Sequence, residues 1–346
     1  MYNMGDDGRV YFLTPSAYDP NIKWESTTTA NLGLDFGFGK NLVSGNLDLY
    51  RKDTRDLLNT VTIPMGANFS NSLLTNIGSM VNKGIELGVQ YNPIRKRNTS
   101  LSIGANFTYQ DTKFTKLTVG DAKANEDYFI QVGSITGGTG GYLQQHRVGY
   151  APNTYYLYQQ AYDSEGRPIQ NAFVDRDGDG NITENDRYLT DKSPLPKFFY
   201  GLNVKFTHKK WDCGFNAHGS AGNWGFWDYH QANSTSANDW INYSNLRNYR
   251  NIVKKTGWTE TSNTAQGYSD YFLYDASFFK IDDINIGYSF TDVFGTNARM
   301  RLALSVNNVA VFTRYPGVNP ELWSSGIDNN GTPMSRTYTL RLNINF

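Results

Sequence analysis

The chain has 346 residues with 32 basic and 32 acidic side chains, so it carries no formal net charge and no electrostatic footprint for nucleic acid. Its one cysteine, Cys213, excludes an intrachain disulfide and any multi-cysteine metal site. No run approaches the roughly eighteen apolar residues of a membrane helix, yet a mean hydropathy of −0.55 with 15% aromatics, 24 Tyr and 33 Gly suits a membrane β-barrel. Only alternate residues of such strands face lipid.

The amino terminus, Met1 to Asp7, lacks the basic stretch and apolar core of a secretory signal, so a truncated or split chain is expected. Period-two alternation then begins. Leu32, Leu34, Phe36 and Phe38 interleave with Asn31, Gly33, Asp35 and Gly37, and after the turn Gly39-Lys40-Asn41 the pattern resumes at Val43, Leu47 and Leu49. A second hairpin sets Ile85, Leu87, Val89 and Tyr91 against Leu101, Ile103, Ala105, Phe107 and Tyr109, with a turn at residues 93–98. A third joins Tyr200, Leu202, Val204 and Phe206 to Trp211, Cys213, Phe215 and Ala217 through a two-residue turn at Lys209-Lys210. The fourth joins Ile284, Ile286, Tyr288 and Phe290 to Met300, Leu302, Leu304 and Val306, and a last strand carries Tyr338, Leu340, Leu342, Ile344 and Phe346.

About nine strands result, with short turns on one side and long loops near 57–78, 113–196, 220–275 and 312–335 on the other, the asymmetry of outer-membrane barrels. The rival fold is a soluble β-sandwich or lipocalin-like barrel. The second face argues against it, since Asp35, Asp48, Glu86 and Arg341 suit a wet lumen better than a packed core. The fold class is therefore all-β: an antiparallel transmembrane barrel, present in part. Nine strands that end in the periplasm are entered from outside, near Trp24. A closed barrel usually has an even number, so an odd number of strands is expected upstream. Open edges in lipid leave the nine strands unstable by themselves.

Within the longest loop, residues 175–186 place Asp175, Asp177 and Asp179 at the first, third and fifth positions of an EF-hand-like loop. Carboxylates so spaced can converge on calcium, with Gly180 permitting the sharp turn, Asn181 offering its carbonyl, Ile182 packing inward and Asp186 closing the loop. Asp in place of the usual closing Glu, and the lack of a preceding amphipathic helix, leave a solvated Asp/Gly turn as the other reading. The metal's role would be to stiffen an outer loop. Trp224, Trp227, Trp240, Trp258 and Trp323 in the long loops are candidates for stacking on sugar rings, although packing those loops or girding the interface is the favoured reading. His146, His208, His218 and His230 have no zinc-site spacing, and neither a GxSxG elbow nor a phosphate loop is present, so no enzymatic function is expected.

Several segments fall in a familiar order: Tyr18-Asp19-Pro20-Asn21-Ile22-Lys23-Trp24-Glu25-Ser26-Thr27, Asn31-Leu32-Gly33-Leu34-Asp35-Phe36, Thr54-Arg55-Asp56-Leu57-Leu58 and Asn76-Ile77-Gly78-Ser79-Met80-Val81-Asn82-Lys83-Gly84-Ile85-Glu86. Pro194-Leu195-Pro196-Lys197-Phe198-Phe199-Tyr200-Gly201-Leu202 and Phe279-Lys280-Ile281-Asp282-Asp283-Ile284-Asn285-Ile286-Gly287-Tyr288 follow. Together they resemble the C-terminal half of SusC/RagA-type TonB-dependent transporters, over nearly all of residues 1–346. The resemblance implies a barrel of about 22 strands with an N-terminal plug, in a Gram-negative, Bacteroidetes-like outer membrane. It would import bulky oligosaccharides or peptides, with energy passed from the TonB complex through the missing N-terminal part. It also implies a SusD-like surface lipoprotein as lid, and barrel assembly machinery reading the last strand with its terminal Phe346. The alternative is a surface-exposed barrel that binds a partner or host ligand without transport. Plug, TonB box and early strands are not visible in the sequence, so the cargo is not readable from it.

Overall fold

Alternating apolar and polar residues satisfy two solvents at once only if the strands pair side by side and present one phase to each face. The computed structural model, which describes residues 2–4, 10–12, 16–117, 128–135, 141–236, 251–293, 298–322, 324–329 and 333–345, shows this arrangement. A small hairpin, β1 (Tyr2–Met4) and β2 (Val10–Phe12), precedes the wall. The wall opens with β3 (Ser26–Phe38), β4 (Val43–Thr62), β5 (Ser72–Lys96) and β6 (Thr99–Leu117). Outside it lie β7 (Phe129–Ser134), β8 (Tyr142–Arg147), β9 (Thr154–Tyr158), β10 (Gln160–Tyr162), β11 (Pro168–Phe173) and β12 (Arg187–Leu189). The wall resumes at β13 (Phe198–His208) and β14 (Trp211–Ala221), leaves through β15 (Trp224–Phe226), α1 (Asp228–Gln231), α2 (Asn251–Thr256) and β16 (Leu273–Asp275), and ends with β17 (Phe278–Val293), β18 (Ala298–Thr313) and β19 (Thr337–Asn345).

Nine wall strands form one antiparallel sheet in the order β3-β4-β5-β6-β13-β14-β17-β18-β19, as the periodicity predicts. One of its short connections is tighter than the sequence pattern shows. The β5–β6 turn is residues 97–98 alone, because Lys96 pairs with Thr99, where the pattern places it at 93–98. At the β3–β4 turn Gly39, Lys40 and Asn41 are all left-handed, and Lys209 adopts the same conformation in the β13–β14 turn. The opposite connections differ more. Strands β4 and β5 run to Thr62 and from Ser72, so most of the expected loop at 57–78 is a hairpin reaching beyond the membrane. The 113–196 region is likewise not loop alone, since β6 continues to Leu117 and β7 to β12 build small sheets of their own. The period-two signal is weak there because those strands are only three to six residues long and β9 is buried on both faces.

The outward face is apolar in register. One row reads Leu34, Leu47, Leu87, Phe107, Tyr200, Gly219, Phe279 and Phe312, and another reads Phe206, Cys213, Ile286, Leu304 and Leu340. Ile286 and Leu304, on interior strands of the sheet, are nonetheless 42% and 47% exposed, the signature of a face that awaits lipid. Aromatic rings border it on both sides. Phe198 packs between Phe107 and Tyr109 at 5.9 and 5.3 Å, and Tyr200, Phe279 and Phe312 continue the outer margin. Trp211, Tyr288 and Phe290 stack edge-on at 4.8 and 4.7 Å along the turn side. From Trp211 to Gly219, β14 advances about 26 Å, or about 20 Å of membrane depth at the usual strand tilt.

The inward face is polar and low in profile. Asn46, Gly88, Asn106, Gly201, His218 and Lys280 make one row, and Ser44, Gln90, Gly104, Asn203, Asn216, Asp283, Asn307 and Thr337 the next. Opposite a lumen-facing glycine stands a polar side chain that leans over it: Asn46 over Gly88, Asn106 over Gly201, Asn203 over Gly104, Asn285 over Gly214 and Asp48 over Gly33.

The main hydrophobic core is not in the wall. It lies in the outer cap, where Leu143, Tyr155, Leu157, Phe173, Phe226, Trp258, Tyr268 and Phe272 pack together, and a second cluster of Val61, Ile77, Phe114 and Leu117 seats the projecting β4–β5 hairpin. Charge is expected to be tolerated on one face of a wall strand and not on the other. In the full-length barrel Leu304→Arg should cost about 2–4 kcal/mol of stability in lipid vesicles, while Ser305→Arg on the lumen face should change it little. Denaturant unfolding from vesicles, read by heat-modifiable gel mobility, checks this, and equal costs at the two positions would contradict the assigned faces.

Candidate functional site

The acidic loop is shaped by carboxylates that accept from its own backbone, because Asp and Asn offer short acceptors to amides a few residues on. Asp175 accepts from the N–H of Gly178 at 2.7 Å and of Gly180 at 2.8 Å, and Asp179 accepts from Asn181 N–H at 2.7 Å. Gly178 and Gly180 are both left-handed. Asp186 is buried and receives Arg176 N–H and Thr183 N–H at 2.7 Å each, with Asp177 N–H at 3.5 Å. The amides of Thr183 and Arg176 hold its carboxyl below the usual carboxylate range. Thr183 caps the short 3-10 turn Glu184–Asp186 reciprocally with Asp186.

Carboxylate oxygens of Asp175, Asp177 and Asp186 gather within 4.8 Å of one another. Three of the expected ligands thus converge on one point. Asp179 lies outside that group and is engaged with Asn181 instead. Ile182 does not pack inward as expected: it is 39% exposed, because the turn that closes on Asp186 leaves it on the outer side. No helix precedes the loop; β11 does.

What the loop positions is Arg187. Its guanidinium is buried against the rings of Tyr156, Tyr268 and Tyr158 at 4.4, 4.8 and 5.8 Å, and donates to the carbonyls of Tyr142 and Tyr156. The loop therefore clamps the start of β12 onto β9 in the cap. Rigidity in this loop passes straight into the cap core.

The tryptophans divide. Trp258 is 2% exposed and donates from Nε1 to the Pro168 carbonyl at 2.9 Å, so it is a core residue and does not face ligand. Trp224 is half-buried, with the Lys192 ammonium 3.8 Å from the ring centroid. Trp227 is half-buried against His230 at 4.0 Å, with Tyr274 and Tyr315 further out. Trp240, Trp323 and the terminal Phe346 lie outside the described residues. Tyr338, Leu340, Leu342 and Ile344 stand on the outward phase of β19, opposite Val306, Leu304, Leu302 and Met300.

On the lumen face, a concavity of about 580 Å³ is floored by neutral groups, chiefly Asn46, Gln90, Asn106, Asn203 and Asn216. A second, of about 370 Å³, is charged, lined by Asp283, Arg301 and Arg341 among others. Arg301 is paired in it with Asp212. At the outer end of the neutral half stands a cluster that sequence spacing does not show. His218 Nδ1 lies 2.6 Å from Asp282 and Nε2 3.1 Å from Glu321, while Lys280 Nζ lies 3.1 Å from Glu321 and 4.0 Å from Asp282. Asp282 is the residue inserted by a bulge in β17 opposite β14, and Glu321 comes from the loop after β18. Strand register and the fold of that loop together assemble the cluster.

The TonB dependent receptor-like β-barrel family matches residues 2–309. The TonB-dependent receptor SusC of Bacteroides thetaiotaomicron is 37% identical across 98% of this chain and 34% of its own length. A TonB-dependent receptor of Formosa agariphila is 28% identical across 88% of this chain and 33% of its own length. The chain spans about a third of the length of these curated relatives. Among solved structures, the RagAB peptide transporter superposes with a TM-score of 0.76 at 21% identity, over 99% of this chain and 38% of that one, a likeness of fold.

His230 gives the cap a pH dependence. Burial, with Lys255 second, pushes its imidazole down to about 4 from an ordinary 6.5, so the packed cap holds it neutral. A depressed histidine contributes stability above its unfolded pKa, and that contribution drains away as pH falls from about 6.5 towards 4. Acrylamide quenching of cap tryptophans in the full-length barrel should rise over that interval and rise less in His230→Phe, where only His146, also lowered by burial, is left to charge; a flat wild-type curve contradicts the packing described.

Proposed function

This chain belongs to the TonB-dependent receptor-like β-barrel family, and on that premise we propose that residues 1–346 are the C-terminal part of the barrel of an outer-membrane importer of bulky, polar nutrients. The observation that carries this reading is the two-faced wall: in-register apolar rows bordered by aromatic rings outside, and a broad neutral amide floor inside. A polar cargo sliding over Asn46, Asn106, Asn203 and Asn216 meets donors and acceptors, with carboxylates at the margins, where Asp48 accepts from Asn46 and Asp283 from Asn216 at 2.7 Å each. Oligosaccharides and peptides both fit that chemistry. The remaining strands would pair with the open edges of β3 and β19, since each has one neighbour in the sheet.

In this reading the barrel stands in a Gram-negative, Bacteroidetes-like outer membrane, works with a SusD-like surface lipoprotein and draws energy from the TonB complex through its N-terminal part. The outward residues of β19, Tyr338, Leu340, Leu342 and Ile344, together with Phe346, serve as the strand read by barrel assembly machinery. Trp224 and Trp227 take a packing role, in view of the Lys192 and His230 contacts on their rings. No catalytic role is proposed.

Deleting the complete gene in its host should abolish accumulation of fluorescently labelled oligosaccharide or peptide, with surface binding lost in parallel. Energy dependence decides between the two readings: binding that survives removal of TonB without any accumulation supports a barrel that only captures a partner or host ligand.

We also propose that residues 175–186 bind calcium structurally through Asp175, Asp177 and Asp186, with Asp179 and Asn181 drawn in as the ion replaces internal hydrogen bonds. Calcium titration of the full-length barrel should show binding in the range of about 0.1–1 mM usual for extracellular modules. Binding should vanish in Asp175→Asn/Asp177→Asn, and wild-type protein silent at millimolar calcium removes the site.

A further inference from the structure

The outward face changes character abruptly on β4, β5 and β6. The apolar row Leu32, Leu49, Ile85 and Tyr109 is followed, about 7 Å further along the strands, by Ala30, Arg51, Lys83 and Asp111, and then by Thr28, Asp53, Val81 and Lys113. Arg55 stands one step beyond, opposite Ser26. These side chains occupy the same phase as the lipid-facing residues, so they face the membrane's outer margin and not the lumen.

The carboxylates there do not neutralise the cations. Arg51 Nε lies 2.9 Å from Asp53, while Lys83 and Lys113 Nζ share Asp111 at 3.9 Å each. Four cations, Arg51, Arg55, Lys83 and Lys113, meet two carboxylates, and two positive charges remain. The side chains of Arg51, Lys83 and Lys113 are 62%, 61% and 50% exposed. Their backbones are fixed in the ladders of three strands that continue past this level, so the charges sit on a rigid platform.

We propose that this patch binds the phosphate-bearing headgroup of an outer-leaflet glycolipid. Charge and height select the occupant: the cations sit one row above the aromatic margin at Tyr109 and Phe198, where hydrocarbon gives way to headgroups, and guanidinium and ammonium groups suit phosphate oxygens. The acyl chains of the same lipid then lie along Leu49, Ile85 and Leu87 below. The proposal rests on the barrel's residence in an outer membrane, proposed above.

Native mass spectrometry of the full-length barrel with added lipid A tests it. Arg51→Gln/Lys83→Gln/Lys113→Gln should bind lipid A more weakly, by roughly fivefold per cation removed, and the wild type should prefer lipid A to its dephosphorylated form. Lys205→Gln, on the lumen face, should bind as the wild type does. Equal binding by the wild type and the triple variant, both heat-modifiable and hence folded, overturns the proposal, as does indifference of the wild type to phosphate. A barrel that fails to insert into plain phosphatidylcholine vesicles overturns the membrane reading together with it; one that inserts but ignores phosphate overturns the lipid site alone.

Discussion

Every peptide N–H and C=O inside a hydrocarbon layer must find its partner within the protein, since none is offered by the solvent. In this chain that requirement is met by strand-to-strand ladders from β3 to β19, shifted locally by bulges, and the rest of the architecture follows from it. Once the ladder is imposed, side chains alternate between two solvents. Apolar rows and aromatic margins then go to one face and amides to the other, while the hydrophobic core of an ordinary domain is displaced into the outer cap. The wall is held together by backbone pairing, whereas the cap is held by packing.

Those two parts are joined where the loop after β18 folds back. Glu321 is anchored to Lys280 and His218 on the lumen wall, whereas Gly326 and Asp328 exchange backbone hydrogen bonds with Phe226, and Tyr315 donates to Asp328 at 2.7 Å. Tyr155, fully buried, donates to the Gly326 carbonyl at 2.7 Å. One loop therefore touches both the lumen surface and the centre of the cap. Displacement of Glu321 from the wall would be felt by the aromatic core several residues later.

How much of this was legible depended on whether the determining contact was local. The wall was legible because alternation is written residue by residue: Leu32 to Phe38 and Tyr338 to Ile344 declare their faces without knowledge of their neighbours. The carboxylate loop was legible for the same reason, since Asp175, Asp177 and Asp186 converge through spacing alone. Ile182 was misplaced because its direction depends on how the closing turn meets β12. Strands β7 to β12 were hidden, as segments of three to six residues are too short for alternation to register and β9 is buried on both faces. The His218 cluster was invisible because Asp282 enters through a bulge and Glu321 stands on a loop over a hundred positions from His218, with no common spacing.

The pairing of amides with glycines has a consequence for how such a wall changes over time. Because Asn106 lies over Gly201 and Asn203 over Gly104, a side chain introduced at either glycine displaces the amide that covers it. The bore is thus set by pairs of positions on adjacent strands, not by single residues. Widening or repolarising the passage requires coordinated replacement across a strand pair, so lumen variation among relatives should be correlated between facing positions, while lipid-facing residues remain free to drift one at a time.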